Sequence, residues 1–306
     1  MPAGWSSTPY EQWRATCDTL HAHTQLLGKL AVTLAPPEPE LQHGALRLTA
    51  RGWATPPLPA PDRLAAIEVT MDLHAHVTEI AHSGGRSMAV PLTPNRSVAA
   101  VTADVLDAVE ALVGRVEVNL RPQEVAWSTP LDEDTEHATY EPDQVADYFA
   151  AATQVALVLA VVRAPYRGRS SQVNAWWGSF DIAVSLFSGR PADPPSRDFI
   201  MRNSMDAQEV ALGWWPGYAR YPKPAFYAYA HPSPRELAET ALPAEPAYWN
   251  ADLGLFLLDW ADVVSAPDPH GMSLDFLRSF VSRACLVCDW DPSLAASVRG
   301  DPPAVS

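Results

Sequence analysis

The chain has 306 residues, 47% of them hydrophobic, which is enough to bury the core of one large domain or of two ordinary ones. Its 21 Lys and Arg against 36 Asp and Glu give a formal charge of −15, so it lacks the basic surface that nucleic-acid binding requires. Three Cys cannot all pair, residues 1–12 carry no signal-peptide pattern and no apolar run is long enough to cross a membrane, so we expect a cytoplasmic protein without membrane contact.

The first half of the chain is predicted to be a helix, an antiparallel meander and a second helix. Residues 13–33 have a helical pattern that ends before two prolines. Short runs of alternating or β-branched residues follow, separated by Pro, Gly and Ser. Residues 97–113 return to helical spacing, with Ser97 or Asn95 as the candidate cap. The predicted strands are 45–51, 65–72, 76–82 and 87–92.

The second half repeats this order and adds an insertion. Helical patterns occupy residues 142–162 and 274–288, with strand patterns between them. The insertion, residues 236–268, has no counterpart in the first half and includes an extra predicted strand at 253–260. The other predicted strands are 173–187, as one long or two short strands, 208–214 and 225–231.

One segment of the sequence occurs twice. Residues 18–36, shifted by 129 positions, match residues 147–165 at nine of nineteen positions. The repeat predicts an α+β fold of two related halves, each with helix, antiparallel strands and helix, whose strands form one curved sheet or a partial barrel with packed helices. The predicted boundaries are 1–130 for the first half, 131–141 for an acidic connector, 142–295 for the second half and 296–306 for a loose tail.

The repeat also suggests where a site would lie. When the alignment is continued with small shifts, His43 falls on Asn174 and His76 falls on Gln208, so polar residues meet polar residues at related strand positions. Positions related in this way face one another across a pseudo-twofold axis or lie in two equivalent pockets. We therefore place a candidate site at these four residues.

A second candidate site lies in the acidic connector. Asp134, His137 and Tyr140 recur every three residues, so one turn or the start of a helix would align them. An Asp that orients a His, with a Tyr as donor, is a typical acid/base arrangement. The alternatives are a solvated connector and capping of the helix that begins near Pro142.

Two further patterns, one of His and one of Cys, allow a metal-binding interpretation. His74 and His76, with Glu79 nearby, have a metal-like spacing if they lie on a strand, but a polar strand end explains them more simply. Cys285 and Cys288 have the spacing of a metal knuckle or redox pair, yet no second pair or neighbouring His completes a ligand set.

The first predicted helix carries a polar stripe. His21, Gln25 and Lys29 are four residues apart and share one face of an otherwise apolar helix. A solvated face and the wall of a pocket are equally good interpretations of this stripe.

Aromatic residues are concentrated on the predicted strands of the second half. Adjacent residues on a strand face opposite sides, so only one Trp of each Trp-Trp pair can enter a given pocket. Core packing absorbs most such residues, but eleven Trp is a high number, and aromatics with a few polar groups suit a small-molecule pocket. The candidate pocket residues are Trp177, Trp215 and Tyr227.

Several longer strings, among them WWGSFDIAVSLFSGRP and PAFYAYAHP, together resemble a bacterial family catalogued only as a domain of unknown function, over about residues 5–290. The resemblance implies no established reaction. It does imply His at the positions of Asn174 and Gln208, which with His43 and His76 would suit a metal or an acid and base pair. This chain keeps only the first pair, so either a metal site is degraded or the chemistry differs. The strings are LHAHTQLLGK, TARG, LDEDTEHATYEP, WWGSFDIAVSLFSGRP, GWWPG and PAFYAYAHP.

We expect an enzyme that acts on a small, partly apolar metabolite by acid/base chemistry, with hydrolysis, elimination and cyclisation all open. No nucleotide-binding, dinucleotide-binding, serine-hydrolase or zinc-protease motif is present, so we assign no cofactor and no metal ligand. The alternatives are a non-catalytic small-molecule-binding protein and a metalloprotein with His ligands. The predicted catalytic residues are His43, His76, His137 and Asp134, and the predicted substrate-binding residues are Arg51, Asn174, Gln208, Glu209, Trp177, Trp215 and Tyr227.

Overall fold

The computed structural model describes Trp5 and residues 9–239, 242 and 244–299, and the chain divides into two compact units. The unit that we call N-terminal comprises Thr8–Phe149 and Asn174–Asp181. The C-terminal unit comprises Met1–Ser7, Ala150–Val173 and Ile182–Ser306. The predicted halves do not coincide with these units, because the acidic connector and a short strand from the second half both pack within the N-terminal unit.

The N-terminal unit consists of helices and one run of antiparallel strands. A 3₁₀ segment, Pro39–Gly44, leads from the first helix into the strands, which are ordered β7-β1-β2-β4-β5-β6 with β3 beside β4. The helices are α1 (Tyr10–Leu34), α2 (Val98–Val113) and the first turns of α3 (Pro142–Arg163). The strands are β1 (Leu46–Thr49), β2 (Gly52–Ala54), β3 (Leu58–Pro59), β4 (Ala66–Asp72), β5 (Val77–His82), β6 (Ser87–Pro91) and β7 (Asn174–Trp176).

The C-terminal unit has the same mixture of helices and antiparallel strands. Its strands are ordered β8-β9-β10-β12-β11, and α7 packs against β9 and β10. The strands are β8 (Asp181–Pro191), β9 (Ala207–Trp215), β10 (Ala225–His231), β11 (Tyr248–Asn250) and β12 (Leu255–Asp259). The helices are α4 (Phe199–Ser204), α5 (Arg235–Ala238), α6 (Trp260–Ser265), α7 (Pro269–Val287) and α8 (Pro292–Arg299).

The predicted α+β class is confirmed, and the main departure is a broken first strand. Residues 45–51 form β1 and a turn rather than one strand, and a second strand begins at Gly52. The Thr49 hydroxyl accepts hydrogen bonds from Arg51 N and Gly52 N, which closes the turn. Gly52 has φ 147°, and a Cβ there would lie 2.0 Å from Met71 O, so only glycine fits.

The region after β10 contains the predicted extra strand, confirmed as β12, together with several short elements that the pattern does not reveal. Residues 240, 241 and 243 of the predicted insertion lie outside the described residues. The predicted loose tail begins inside α8, because the chain stays helical to Arg299, and its later residues, 300–306, are also outside the described part.

Helix α3 is long and apolar enough to cross a membrane by length and composition, with a mean hydropathy of 1.8 over its most apolar stretch. Half of that stretch is buried within the protein, as in the core helix of a soluble protein. In the described part of the chain this is the one helix with these properties, and it is weak evidence of a membrane span.

Helix α1 is buried along most of its length, because its apolar and polar residues alike face other parts of the unit. It packs against α2, β3 and β4. At Gly28 the indole of Trp177 lies directly on the helix backbone, so a Cβ at that position would be 1.9 Å from Trp177 Cδ1. The close approach of Trp177 to α1 therefore depends on the missing side chain at residue 28.

We expect Gly28→Ala to destabilise the protein by about 1–3 kcal/mol through overpacking against Trp177, measured by urea unfolding. In a Trp177→Ala background the same change should cost nothing, or stabilise by up to about 1 kcal/mol, because Ala is the better helix former. An equal loss of stability in the two backgrounds would show that the contact between residue 28 and the indole does not determine the packing of α1.

Candidate functional site

The acidic connector brings Asp134 and His137 together as a hydrogen-bonded dyad. Asp134 is 1% exposed, and its Oδ1 accepts from the backbone N–H groups of Glu136 and His137 at 3.1 and 3.0 Å. Its Oδ2 is 2.7 Å from His137 Nδ1. A carboxylate only accepts, so Nδ1 carries the proton and Nε2 of a neutral ring keeps its lone pair. In the described part of the chain no group bonds Nε2, and the His137 side chain is 17% exposed.

The dyad is held in place by the N-terminus of α2. Of the two candidate caps, Ser97 and Asn95, it is Ser97 that caps the helix, by accepting from Ala100 N. Val98 N donates to His137 O and Ala99 N donates to Asp134 O, each at 2.8 Å. The connector therefore supplies carbonyl partners for helix N–H groups that would otherwise be unpaired, and this fixes the backbone of both dyad residues. Within the connector Asp134 and Tyr140 are buried, whereas Asp132, Glu133 and Glu136 are exposed, so most of its acidic residues face solvent and the carboxylate of the dyad does not.

A row of rings extends from the dyad into the unit. The Trp127 ring lies 4.7 Å from the His137 ring and 5.7 Å from the His21 ring, measured between centroids. His21 stacks on Phe180 at 4.8 Å, and Phe180 stacks on Tyr148 at 5.1 Å. Trp127 Nε1 is buried with no hydrogen-bond partner among the described residues. The rings form an aromatic wall beside His137.

The polar stripe of α1 is buried, so the solvated-face interpretation is wrong. His21 Nε2 donates to the carbonyl oxygens of Trp177 and Gly178 at 2.9 and 3.0 Å, and burial lowers its pKa to about 4. Gln25 donates to Gln123 O at 2.7 Å and accepts from Gln123 N at 3.0 Å. Lys29 lies over the Trp177 ring. The stripe therefore anchors two loops to α1.

Two further ionisable groups lie near the dyad. His23 is 3% exposed, and its Nδ1 has no partner among the described residues. Its pKa is lowered to about 4 by burial and by the charges of Arg96 and His137, against the opposing charge of Asp134. Asp18 accepts from the Tyr10 hydroxyl at 3.2 Å, and its pKa is raised by burial despite nearby positive charge, including that of His137.

His76 pairs with Tyr140 rather than with the connector dyad. His76 ends the turn between β4 and β5 with φ 53°, so it lies outside the strand predicted at 76–82, and its Nδ1 is 3.0 Å from the Tyr140 hydroxyl. Tyr140 is buried, and burial followed by the charge of Asp72 raises the pKa of its hydroxyl. Tyr140 is therefore a hydrogen-bond partner of His76, and it is not part of the Asp134 and His137 dyad.

Arg51 is part of the same turn region. Its guanidinium forms an ion pair with Asp72, whose Oδ1 also accepts from the backbone N–H groups of His74 and Ala75. Burial acts to raise the pKa of Asp72, but these hydrogen bonds and Arg51 outweigh it and lower the pKa. Arg51 thus stabilises the turn that carries His76.

His43 and Asn174 both support the 3₁₀ segment. His43 Nδ1 accepts from Glu38 N at 3.0 Å, and burial lowers the pKa of the ring. Asn174, on β7 opposite Arg47 of β1, donates to Gln42 Oε1 at 3.1 Å. The segment needs this support because Glu40 and Leu41 adopt left-handed backbone angles, with φ 50° and 55°.

The remaining predicted site residues belong to the C-terminal unit. Gln208 accepts from the Ser188 hydroxyl at 3.0 Å, and Glu209 is buried on β9. Trp215 stacks on Tyr227 at 4.9 Å and donates to Lys223 O. Trp215 and Tyr227 are therefore in contact, as their assignment to one cavity requires, whereas His43, His76, Asn174 and Trp177 are all in the N-terminal unit.

Among the described residues no group of three His, Cys, Asp or Glu side chains is arranged to hold a metal ion. His74 and His76 lie in a turn and contact different rings, those of Phe149 and Tyr140. The shared strand that the metal interpretation of these two histidines needs is therefore not formed.

Sequence reasoning missed Asp18, Trp127 and the role of His23. Asp18 carries a weak signal, because it matches Asp147 in the repeat. Trp127 is a lone aromatic in a polar loop, and no periodic pattern identifies it. The surroundings of His23 could not be predicted, because Asp134 and His137 are more than a hundred residues away from it in sequence.

The buried histidines make stability depend on pH. A folded pKa of about 4 for His21 and His23, against an ordinary value of 6.5, means that their stabilisation is complete above pH 6.5 and is lost as the pH falls to about 4. We expect the free energy of unfolding to fall in this window, on the order of 3 kcal/mol for each ring. His23→Asn should flatten the slope and the exposed-residue control His74→Asn should not, as measured by urea unfolding at several pH values. An unchanged slope in His23→Asn would contradict the assignment.

Comparison with known proteins places the chain in a family but brings no activity with it. No curated protein and no solved structure shows significant similarity to it. Residues 5–297 match a family described as a family of unknown function, DUF5996, which agrees with the resemblance carried by the sequence strings. The match covers nearly the whole chain, including both units and every residue of the candidate site, and the chain therefore belongs to this family of unknown function.

Proposed function

We propose that the protein is an enzyme that acts on a small, partly apolar metabolite by acid/base chemistry, with His137 as the general base. The observation that carries the proposal is the Asp134 and His137 dyad: a buried carboxylate 2.7 Å from Nδ1 and an Nε2 that no described group bonds. This is the arrangement in which a histidine accepts a proton from a substrate at its outer nitrogen. Hydrolysis, elimination and cyclisation are all compatible with it.

In this mechanism Asp134 acts through His137. It holds the ring in the tautomer with a proton on Nδ1 and stabilises the imidazolium that forms when Nε2 takes a substrate proton. The bonds from Glu136 N and His137 N to Asp134 Oδ1 keep the carboxylate oriented, so little reorganisation accompanies the transfer. Asp134 is therefore a positioning residue.

Asp18 is the proposed general acid. Burial raises the pKa of its carboxyl, although the hydrogen bond from Tyr10 and the charges of Arg14 and His137 act to lower it, and a raised pKa suits a proton donor. The rings of Trp127 and His21 would bind the apolar part of the substrate by stacking. The proposed substrate is therefore partly apolar. It carries a proton that His137 can remove and, near it, a group that Asp18 can protonate.

The roles of the other predicted residues are kept as proposals. His43, and His76 with its hydrogen bond to Tyr140, would be further proton-transfer groups. Trp215 and Tyr227 would line an apolar surface in the C-terminal unit. A non-catalytic binding protein is the alternative. It is favoured by Trp127 Nε1 and His23 Nδ1, which have no partner among the described residues and which a polar ligand would satisfy.

Duplication of a helix, strands and helix unit is also proposed, together with one curved sheet or partial barrel. It is supported by the ends of α1 and α3, Leu34 and Arg163, which are separated by the offset of 129 that relates the sequence repeats. A cytoplasmic location without nucleic-acid or membrane partners remains part of the proposal. It is supported by the three Cys, none of which is in a disulfide.

The catalytic proposal can be tested without knowing the substrate. Purified protein is incubated with a small-molecule extract, and masses that are consumed or formed are followed by liquid chromatography and mass spectrometry. We expect conversions that need the wild-type protein and fall by about 10²-fold or more in His137→Asn, the usual range for loss of a general base. The matched control is His270→Asn, because His270 is an exposed residue of α7.

Asp134→Asn should lower the rate and shift its pH profile, since an amide stabilises the imidazolium less well than a carboxylate does. Conversion that is equal in wild type and His137→Asn would rule out His137 as the base. Compounds that are retained by the protein but never converted would favour the binding alternative.

A further inference from the structure

Lysine is nearly absent from this protein, and one of its two lysines is buried. The 21 basic residues comprise 19 Arg and only Lys29 and Lys223. The Lys223 side chain is 64% exposed and forms an ion pair with Asp259 at 3.5 Å. Lys29, in contrast, is 4% exposed and lies in the C-terminal half of α1. A chain that uses Arg for its surface charge keeps a lysine at a position where a charge is costly to bury.

The surroundings of Lys29 do not neutralise its charge. No carboxylate in the described part of the chain lies within ion-pair distance of Nζ, which is 5.2 Å from the centroid of the Trp177 ring. The indole approaches α1 this closely because residue 28 is glycine. Buried lysines are normally paired with an acid, so an aromatic ring as the only charge partner is unusual for a structural role.

A second buried polar group at the same place also lacks a partner. Trp177 is 1% exposed, and its Nε1–H has no acceptor among the described residues. A Cβ on Gly44 would lie 3.5 Å from this nitrogen, so two glycines, at residues 28 and 44, leave the indole without a side chain against it at these points. An amine and an N–H donor at one ring would together meet the carbon and the oxygen of a bound carbonyl group.

Burial lowers the pKa of Lys29 to about 8. At pH 7.5 about a quarter of an amine with that pKa is neutral, against about one in a thousand for an ordinary lysine. The neutral amine is the form that attacks a carbonyl carbon, and desolvation of the kind found here is a known way of activating lysine.

We propose that Lys29 is an imine-forming site for a small aldehyde or ketone, with Trp177 as the surface on which the carbonyl compound lies and as the donor to its oxygen. Neutral Nζ attacks the carbonyl carbon to give a carbinolamine. The carbinolamine takes up a proton at oxygen and loses water, leaving a protonated imine of Lys29. Hydrolysis reverses the reaction, so no oxidant or reductant is required.

The alternative role for Lys29 is a structural cation held by the Trp177 face. That role needs only a positive charge. Arginine would also supply this charge, and its guanidinium binds to aromatic rings. Imine formation needs a primary amine, so the two roles differ in what Lys29→Arg should retain. Imine formation at Lys29 does not involve His137, so modification of Lys29 can be measured independently of the proposed acid/base activity.

The test uses propanal and sodium cyanoborohydride, which reduces any imine to a stable secondary amine. Native protein is treated at pH 7.5, and the modified lysines are found by peptide mapping with a protease that does not cleave at lysine. We expect Lys29 to be labelled at least about tenfold faster than Lys223, because far more of its amine is neutral. The Lys29 rate should rise with pH to a plateau above about pH 8, the value to which burial lowers its pKa.

Controls separate this result from general lysine reactivity and from the His137 chemistry. Lys29→Arg should abolish the fast label with the fold retained, and Lys223→Arg should leave it unchanged. His137→Asn should label Lys29 at the wild-type rate, so failure of the acid/base proposal would not affect this one. Lys29 that stays unlabelled in native protein and reacts only after denaturation would overturn the proposal and assign the residue a structural role.

Discussion

The N-terminal unit depends on a constraint set by α1: polar side chains that a buried helix carries must find partners inside the protein. His21 and Gln25 satisfy this by bonding backbone groups of two distant loops, at residues 177–178 and 123. These are ordered segments without regular structure of their own. The helix therefore holds the loops in place, and the site is built from what the loops then bring to it.

The same reasoning explains why the dyad lies where it does. The first turn of α2 has N–H groups with no partner inside the helix, and the connector satisfies them through the carbonyl oxygens of Asp134 and His137. Trp127, on the loop that Gln25 anchors, then lies against His137. Two hydrogen-bond requirements, one at the end of α2 and one along α1, thus bring an ionisable pair and an aromatic ring together. Neither requirement involves a hydrophobic contact, although the core surrounds them.

Periodicity predicted the long elements well where one face is buried, as in α2, α7, β4 and β5, and it located α1 although that helix is buried on nearly all sides. It failed at Arg51 and His76, where turns set by Gly52 and by the bonds to Asp72 interrupt a run of strand-forming residues. The pairing of Asp134 with His137 could be predicted, since it is local. The contacts of Trp127 and Asp18 could not, because they join segments far apart in sequence and follow no period.

The charge state of the cluster follows from burial. His21 and His23 are held neutral at neutral pH by desolvation, so neither adds positive charge beside the imidazolium that His137 would form. Asp134 lies against that imidazolium through a hydrogen bond, and Asp18 interacts with it electrostatically. Three histidines in one region thus differ through their surroundings: His21 and His23 are buried, whereas His137 is partly exposed, is hydrogen-bonded to a carboxylate and has an Nε2 that no described group bonds. The proposal that His137 rather than His21 or His23 transfers protons follows from this difference in burial and pairing, which spacing along the sequence does not express.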